Sequence, residues 1–265
     1  MNTDTVSLSR EQVQFNDPEA TARFGLIALA TDMTSERDLY RQLPSDTVAI
    51  HVTRVAFANP TTPENLRKMA PRLTEAAALL QPLQPLKAIC YSCTAASVVI
   101  GDDAVKFSIQ ASVGNVPIVT PSGAARMAFA ALGVRRIAIL TPYTVSTSVP
   151  MAAYFTRHGM EISRVECLGL EDDREMARVS DQTIINAAIA VDTPDAEAMF
   201  ISCTGLPAIN VIARLEKRIG KPVVTSNQAS AWAMSRLGGF GDHRPAQYGR
   251  LFDCALPEHA FGEAA

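Results

Sequence analysis

Histidine is scarce in this 265-residue chain, and so are the other hallmarks of a metal or disulfide scaffold. His51, His158, His243 and His259 show no metal-ligand spacing. Each reads as a surface or packing residue. Five cysteines in a chain of this length do not make a disulfide framework, because one is left over. Cys90-x-x-Cys93 has redox spacing, but it runs along an apolar strand candidate. Residues three apart on a strand point to opposite faces, and no second pair completes a zinc ribbon. No G-x-G-x-x-G or Walker loop is present, so the common nucleotide folds have no signature here. No apolar run approaches a membrane span. Neither sign of charge dominates: 24 Lys and Arg face 27 Asp and Glu, a formal net charge of −3. Nucleic acid and anionic membrane are therefore not expected partners. The N-terminus is polar, with no apolar run beside a basic start, and does not read as a signal peptide. The expectation is a soluble cytoplasmic protein with free thiols.

What the chain does have is a repeat. Short runs rich in Val, Ile and Ala alternate with segments of helical period. "FGLIALA" (24–30), "TVAIHVTRV" (47–55), "LKAICYSC" (86–93) and "VPIVTP" (116–121) read as strands. Between the second and third lies the clearest helix, 62–81, with Pro63 in its first turn. Pro71 predicts a kink there, or two shorter helices. The order then recurs in "RRIAILTP" (135–142), "GMEISRV" (159–165), "AMFISC" (198–203) and "KPVVTSNQASAWAMSRLGG" (221–239). Arg54-Val55 and Arg164-Val165 are 110 positions apart, as are Cys93 and Cys203. The last pair of segments is offset by 105. A period near half the chain predicts two duplicated α/β halves with parallel sheets.

Both halves carry Ser-Cys-Thr at the end of their third strand. Ligands of open parallel sheets bind outside the carboxyl ends of the strands. Each cysteine is expected where the chain turns into a helix. If the halves face each other, the two thiols share one cleft. Unpaired N–H groups at a helix start favour a thiolate and bind carboxylates. Residues 94–97 and 204–206 are thus candidates for holding an anionic substrate. A thiolate on one face and a thiol on the other can invert a stereocentre by two-sided proton transfer. The same pair can add to an activated C=C bond and release it rotated. Cys167 and Cys254 have no repeat partner and read as packing. "LGGFGDH" (237–243) reads as a helix end and loop. "LEDDRE" (170–175) reads as a solvated loop, and the Met and Phe positions in 125–131 and 232–234 as core.

The paired Cys-Thr sites, "LTPY" (140–143) and "TSNQASAW" (225–232) resemble the aspartate/glutamate racemase superfamily. The branch they resemble holds maleate cis–trans isomerases, arylmalonate decarboxylases and the racemase-like proteins of ectoine utilisation. The resemblance covers roughly residues 24–240. It implies two pseudo-symmetric flavodoxin-like halves, each a parallel four-stranded sheet flanked by helices, with the site between them and no cofactor. It gives Cys93 the nucleophile's place and Cys203 that of the acid–base cysteine. It assigns Tyr143 to a substrate carboxylate, and Thr94, Ala95, Thr204 and Gly205 to the carboxylate cradle.

Departures from the family pattern bear on the substrate. Arylmalonate decarboxylases carry Gly at the Cys93 position, so two retained thiols favour two-sided proton transfer over decarboxylation. Maleate isomerases carry Asn after the first strand, where this chain has Thr31 and Asp32. They carry another Asn where this chain has Ser148. Loss of both amides weakens the case for maleate. Asp32 would suit a substrate amino group, or it caps a helix near Thr31–Thr34. The expected activity is a cofactor-independent isomerase or racemase of a small carboxylate or amino-acid derivative, as in ectoine breakdown. A maleate-type isomerase, a decarboxylase of the same fold and a non-catalytic carboxylate sensor stay open. The expected layout is an N-terminal arm (1–23), a first half (24–120, completed by 234–265) and a second half (121–233). The expected assembly is a homo-oligomer, dimer or tetramer.

Overall fold

Strands buried on both faces must be apolar throughout, and the runs of Val, Ile, Leu and Ala meet that demand. In the computed structural model, which describes residues 7–82 and 85–258, they form two sheets. The first comprises β1 (Ala22–Leu29), β2 (Val48–Val55), β3 (Ala88–Ser92) and β4 (Ile118–Val119), in the order β2-β1-β3-β4. The second comprises β5 (Arg136–Thr141), β6 (Glu161–Cys167), β7 (Ala198–Ile201) and β8 (Val223–Thr225), in the order β6-β5-β7-β8. Every pairing is parallel. The same order appears twice, as the sequence repeat requires. Ala88 and Ala198 open the equivalent strands β3 and β7 at the 110-residue offset. His259 and the ends of the chain at 1–6 and 259–265 lie outside the described residues.

Helices flank both sheets. In the first half they are α1 (Ser35–Gln42), α2 (Pro63–Arg67), α3 (Leu73–Ala78), α4 (Thr94–Ile100) and α5 (Asp102–Val113). Pro71 splits the 62–81 segment as expected: a single tight turn over Ala70–Arg72 separates α2 from α3. The second half carries α7 (Val145–Arg157), α8 (Asp173–Met176), α9 (Asp181–Val191) and α10 (Ile212–Ile219). One local expectation fails. Cys203 does not open into a helix. Pro207 keeps the preceding residue out of helical conformation, and a turn and a short 3-10 segment at Ala208–Asn210 intervene before α10.

Two helices are exchanged between the halves. Helix α6 (Pro121–Ala131) follows the first sheet but packs on the second. Its Phe129 meets Phe155 of α7 and Phe200 of β7 edge-on, at 6.0 Å between centroids in both cases. Helix α11 (Ser226–Leu237) follows the second sheet but packs on the first, against α1 and β3. Asn227 donates to Asp38 of α1 at 2.9 Å. The chain therefore returns to the first half at Ser226, ahead of the boundary at 234 expected from the sequence. Chain beyond α11 fastens it: Gln228 donates to the Tyr248 carbonyl at 2.6 Å, and the Trp232 indole N–H to that of Cys254 at 3.0 Å.

Phe129 is fully buried in this exchanged contact. Phe129→Ala is expected to cost about 3–5 kcal/mol, the range for emptying a buried aromatic site. Urea unfolding of the purified variant measures it. A loss under about 1 kcal/mol would show that α6 is not anchored where its aromatic contacts place it.

Candidate active site

The carboxyl ends of both sheets meet at one place, and both Ser-Cys-Thr segments lie there. Cys93 is the N-cap of α4, with extended backbone. The Ala96 N–H points at its sulfur. Thr94 and Ala95 follow in the first turn, where backbone N–H groups have no intrahelical acceptor. Cys203 has φ +110°, and it is the one non-glycine residue with positive φ among the described residues. Such a backbone persists only when its surroundings hold it. Here they do. The Cys203 N–H donates to Ser226 Oγ at 3.0 Å. The Thr204 carbonyl accepts from Thr34 at 2.6 Å and from Asn227 at 2.9 Å. The Thr204 hydroxyl donates to the Ser92 carbonyl at 3.0 Å.

The two thiols lie near one tyrosine and one carboxylate. Cys93 and Cys203 are 7% and 4% exposed. Each is close enough to Asp173 for its charge to disfavour the thiolate, and a charge on Cys203 disfavours one on Cys93. Tyr143 feels both cysteines, and its hydroxyl faces the Cys203 sulfur. The N–H groups of Gly205 and Leu206 also point at that sulfur. A side chain at Gly205 would stand 3.5 Å from it and 3.1 Å from Asp173 Oδ1. The glycine thus lets the strand end, the thiol and the carboxylate come together.

Burial reverses the expected thiol acidity. Desolvation is the largest influence on both cysteines and raises both, Cys203 to about 12. The helix-start N–H at Cys93 and the three donors at Cys203 oppose this without overcoming it. Both thiols are therefore neutral at neutral pH. Cys203, with the Tyr143 hydroxyl and two N–H groups, has more donors for a thiolate than Cys93 has.

Other expected site residues make hydrogen bonds within the protein. The Thr94 hydroxyl donates to Ser226 Oγ at 2.7 Å, so Thr94 and Cys203 are tied through one serine. The Thr94 and Thr204 hydroxyls thus each donate their proton within the protein, and the backbone N–H groups there are the remaining donors. Ser148 donates to the Thr144 carbonyl at 2.8 Å and meets Thr141 at 2.6 Å, which fixes the turn from β5 into α7. Asp32 acts as a cap. Its carboxylate accepts from the Thr34 and Ser35 N–H groups at 3.0 and 2.9 Å and from the Ser35 hydroxyl at 2.5 Å. Thr31 donates to Asp173 Oδ2 at 2.6 Å.

Asp173 itself was hidden in the sequence. The "LEDDRE" segment is not a solvated loop throughout: Asp173 begins α8 and is 8% exposed. The loops after β2 and β6 close over the cleft and lock to each other. Thr61 N–H donates to the Glu171 carbonyl at 2.8 Å, and Asn59 bridges Asp172 and the Asp173 N–H at 3.1 and 3.2 Å. A loop leaving the carboxyl end of a parallel strand belongs at the ligand edge. That rule, applied to the segment after β6, was the available signal.

This arrangement has known counterparts. The sequence pattern of the arylmalonate decarboxylase family (Amdase) matches residues 60–252, well over half of the chain. The chain belongs to that family. It stands with the maleate isomerases in the aspartate/glutamate racemase-like superfamily. An arylmalonate decarboxylase of Bordetella bronchiseptica is 34% identical over 141 residues, 52% of this chain and 59% of that protein. The matched region thus spans somewhat over half the length of that relative. A maleate isomerase of Nocardia farcinica is 24% identical over 81% of this chain and 89% of its own. Among solved structures, a liganded arylmalonate decarboxylase variant carries cysteine for a glycine and serine for a cysteine. It superposes with a TM-score of 0.79 at 28% identity, covering 88% of this chain and 99% of that one. The fold is also that of a maleate isomerase from Pseudomonas putida S16 solved with maleate, at a TM-score of 0.80 and 22% identity, covering 89% and 99% of the two chains. Members of this family and these relatives are enzymes by name, and among the described residues of this chain no helix is long and apolar enough to cross a membrane.

Burial and lowered acidity set the order of thiol modification. At neutral pH without ligand, iodoacetamide is expected to label the half-buried Cys167 before Cys93 and Cys203. Labelling of Cys203 should accelerate as pH rises through the alkaline range towards its raised value, since the thiolate is the reacting form. Peptide mapping over a pH series reads both. Fast labelling of Cys203 at pH 7 would mean that the cleft opens or holds a thiolate without substrate.

Proposed function

We propose that this protein is a cofactor-independent isomerase of the racemase type, in which Cys93 and Cys203 move a proton between opposite faces of one substrate carbon. The carrying observation is the pair of buried thiols at the ends of matched strands, one with a single donor and the other with three. That asymmetry suits a pair with one thiolate at a time. As substrate enters the cleft, the Cys203 thiol gives its proton to solvent and holds the thiolate, stabilised by Tyr143 and the Gly205 and Leu206 N–H groups. It takes the α-hydrogen as a proton, and the electron pair stays on the substrate as an enolate-like carbanion. Cys93 gives its proton to the opposite face and leaves as thiolate. The reverse turnover restores the pair. The substrate carboxylate lies against the backbone of 94–95 and 204–205, where it can accept N–H donors as charge builds.

A small amino-acid derivative, as met in ectoine breakdown, is the substrate class this reading favours. The presence of Cys93, where the resemblance puts glycine in the decarboxylases, supports proton transfer over loss of carbon dioxide. The commitment of Ser148 and Asp32 to local hydrogen bonds supports an amino acid over maleate, because neither offers the amide of the maleate isomerases.

The test is α-hydrogen exchange in D2O, followed by NMR with each enantiomer of candidate amino-acid derivatives. Wild type should exchange and interconvert both. Cys203→Ser and Cys93→Ser should each lose interconversion by about 10² or more, the scale of a positioned acid–base group. Each should keep slow wash-in for opposite enantiomers, and the double variant should be no worse than the poorer single one. Full turnover in both single variants would make the cysteines structural. Conversion of maleate to fumarate without α-exchange would replace racemisation by addition and elimination at Cys93.

A further inference from the structure

Three buried carboxylates lie around the cleft, and two of them are already satisfied. Asp32 accepts three hydrogen bonds from its own helix start. Asp38 accepts from Asn227 through one oxygen and from Arg37 through the other. Asp173 differs from both. Its Oδ2 accepts from Thr31, while its Oδ1 accepts no hydrogen bond among the described residues. Its sequence neighbour Arg174 favours its charged form only at longer range, because that guanidinium is paired with Asp172. Yet Oδ1 is the oxygen nearest Gly205, beside the Cys203 sulfur. The residue is more than nine-tenths buried, yet Oδ1 is not sealed off, so an arriving cation or donor can reach it.

We propose that Asp173 Oδ1 is the subsite for a cationic amino group, so that the cleft takes zwitterionic α-amino acids and derivatives that keep that group, rather than dicarboxylates or simple acids. The proposal rests on the reading above for where the substrate lies, but not for how it reacts. A dicarboxylate would bring two more negative charges beside Asp173, which among the described residues has no direct ion pair with a lysine or arginine. A zwitterion brings its carboxylate to the backbone N–H groups and its ammonium to Asp173. The pairing also has a consequence for the thiols. The Asp173 charge is one of the influences that hold both cysteines neutral. An ammonium beside it cancels that influence, so the thiolate forms more readily when the right substrate is bound. Asp173 then selects the substrate and primes the base by one contact.

The test compares equilibrium binding of 2-aminobutyrate, butyrate and succinate by calorimetry, with wild type and with Asp173→Asn. Asparagine keeps the shape and can still accept from Thr31. Wild type is expected to bind 2-aminobutyrate about tenfold or more tightly than butyrate, the scale of one charged hydrogen bond, with succinate no better than butyrate. Asp173→Asn should bring the amino acid and the simple acid to near equality. A preference that survives in Asp173→Asn overturns the proposal. So does a wild type that binds butyrate or succinate as tightly as 2-aminobutyrate, or that binds none of the three up to their solubility. The wild-type ratio needs no variant, and it decides the matter if Asp173→Asn does not fold. Binding is read apart from turnover. The ratio without α-hydrogen exchange keeps the Asp173 assignment and loses racemisation, and exchange without the ratio does the reverse.

Discussion

The hydroxyl of Ser226 joins the two halves between the two Ser-Cys-Thr segments. It accepts from the Cys203 N–H and from the Thr94 hydroxyl, so one oxygen holds a residue from each Ser-Cys-Thr segment. Cys203 could not keep its positive φ without such a partner. The strained backbone turns its sulfur towards the Gly205 and Leu206 N–H groups, and towards Tyr143. The relative placement of the thiols thus depends on a brace drawn from the start of α11, a helix that belongs to the other half by packing. Ser226 is buried, so water does not compete for the bond.

Electrostatics in the cleft run against the simplest view of a cysteine at a helix start. A first-turn N–H does favour a thiolate, but exclusion of water costs more. The free protein therefore keeps two neutral thiols beside carboxylates whose own acidity is lowered by the same burial. An arrangement of this kind is quiet until a ligand changes its charge. It protects the thiols from oxidants and alkylating agents, because thiolate character and exposure both govern such reactions.

The sequence made the duplicated sheets legible because the inner strands are buried on both faces and therefore apolar, while the edge strands β2 and β6 are only partly buried. The cysteines were legible because a repeat marks equivalent positions. The exchange of α6 and α11 was not legible. A helix shows the same apolar period whichever sheet it covers. Asp173 was missed because a run of acids and an arginine looks like a solvated face, and burial of its second aspartate arises only when two loops from different halves meet. The turn at 204–211 was readable and misread: Gly205 and Pro207 both argue against a helix beginning at Cys203. Thr94 and Thr204 lie just beyond the strand ends, and the internal bonds their hydroxyls donate, to Ser226 and to the Ser92 carbonyl, arise from contacts between the halves that spacing does not carry.

The helix exchange constrains how such a chain could have arisen. In each half the last helix leaves the sheet it follows and covers the other one. A lone half would therefore have an uncovered sheet face and a helix with nothing to lie on. Two copies of it would complete each other by trading that helix, an association closed by two-fold symmetry. The joined chain keeps the geometry of that trade within one polypeptide. It also gains what two identical copies could never have: a Tyr143 at one thiol without a twin at the other, and an Asp173 on one side only.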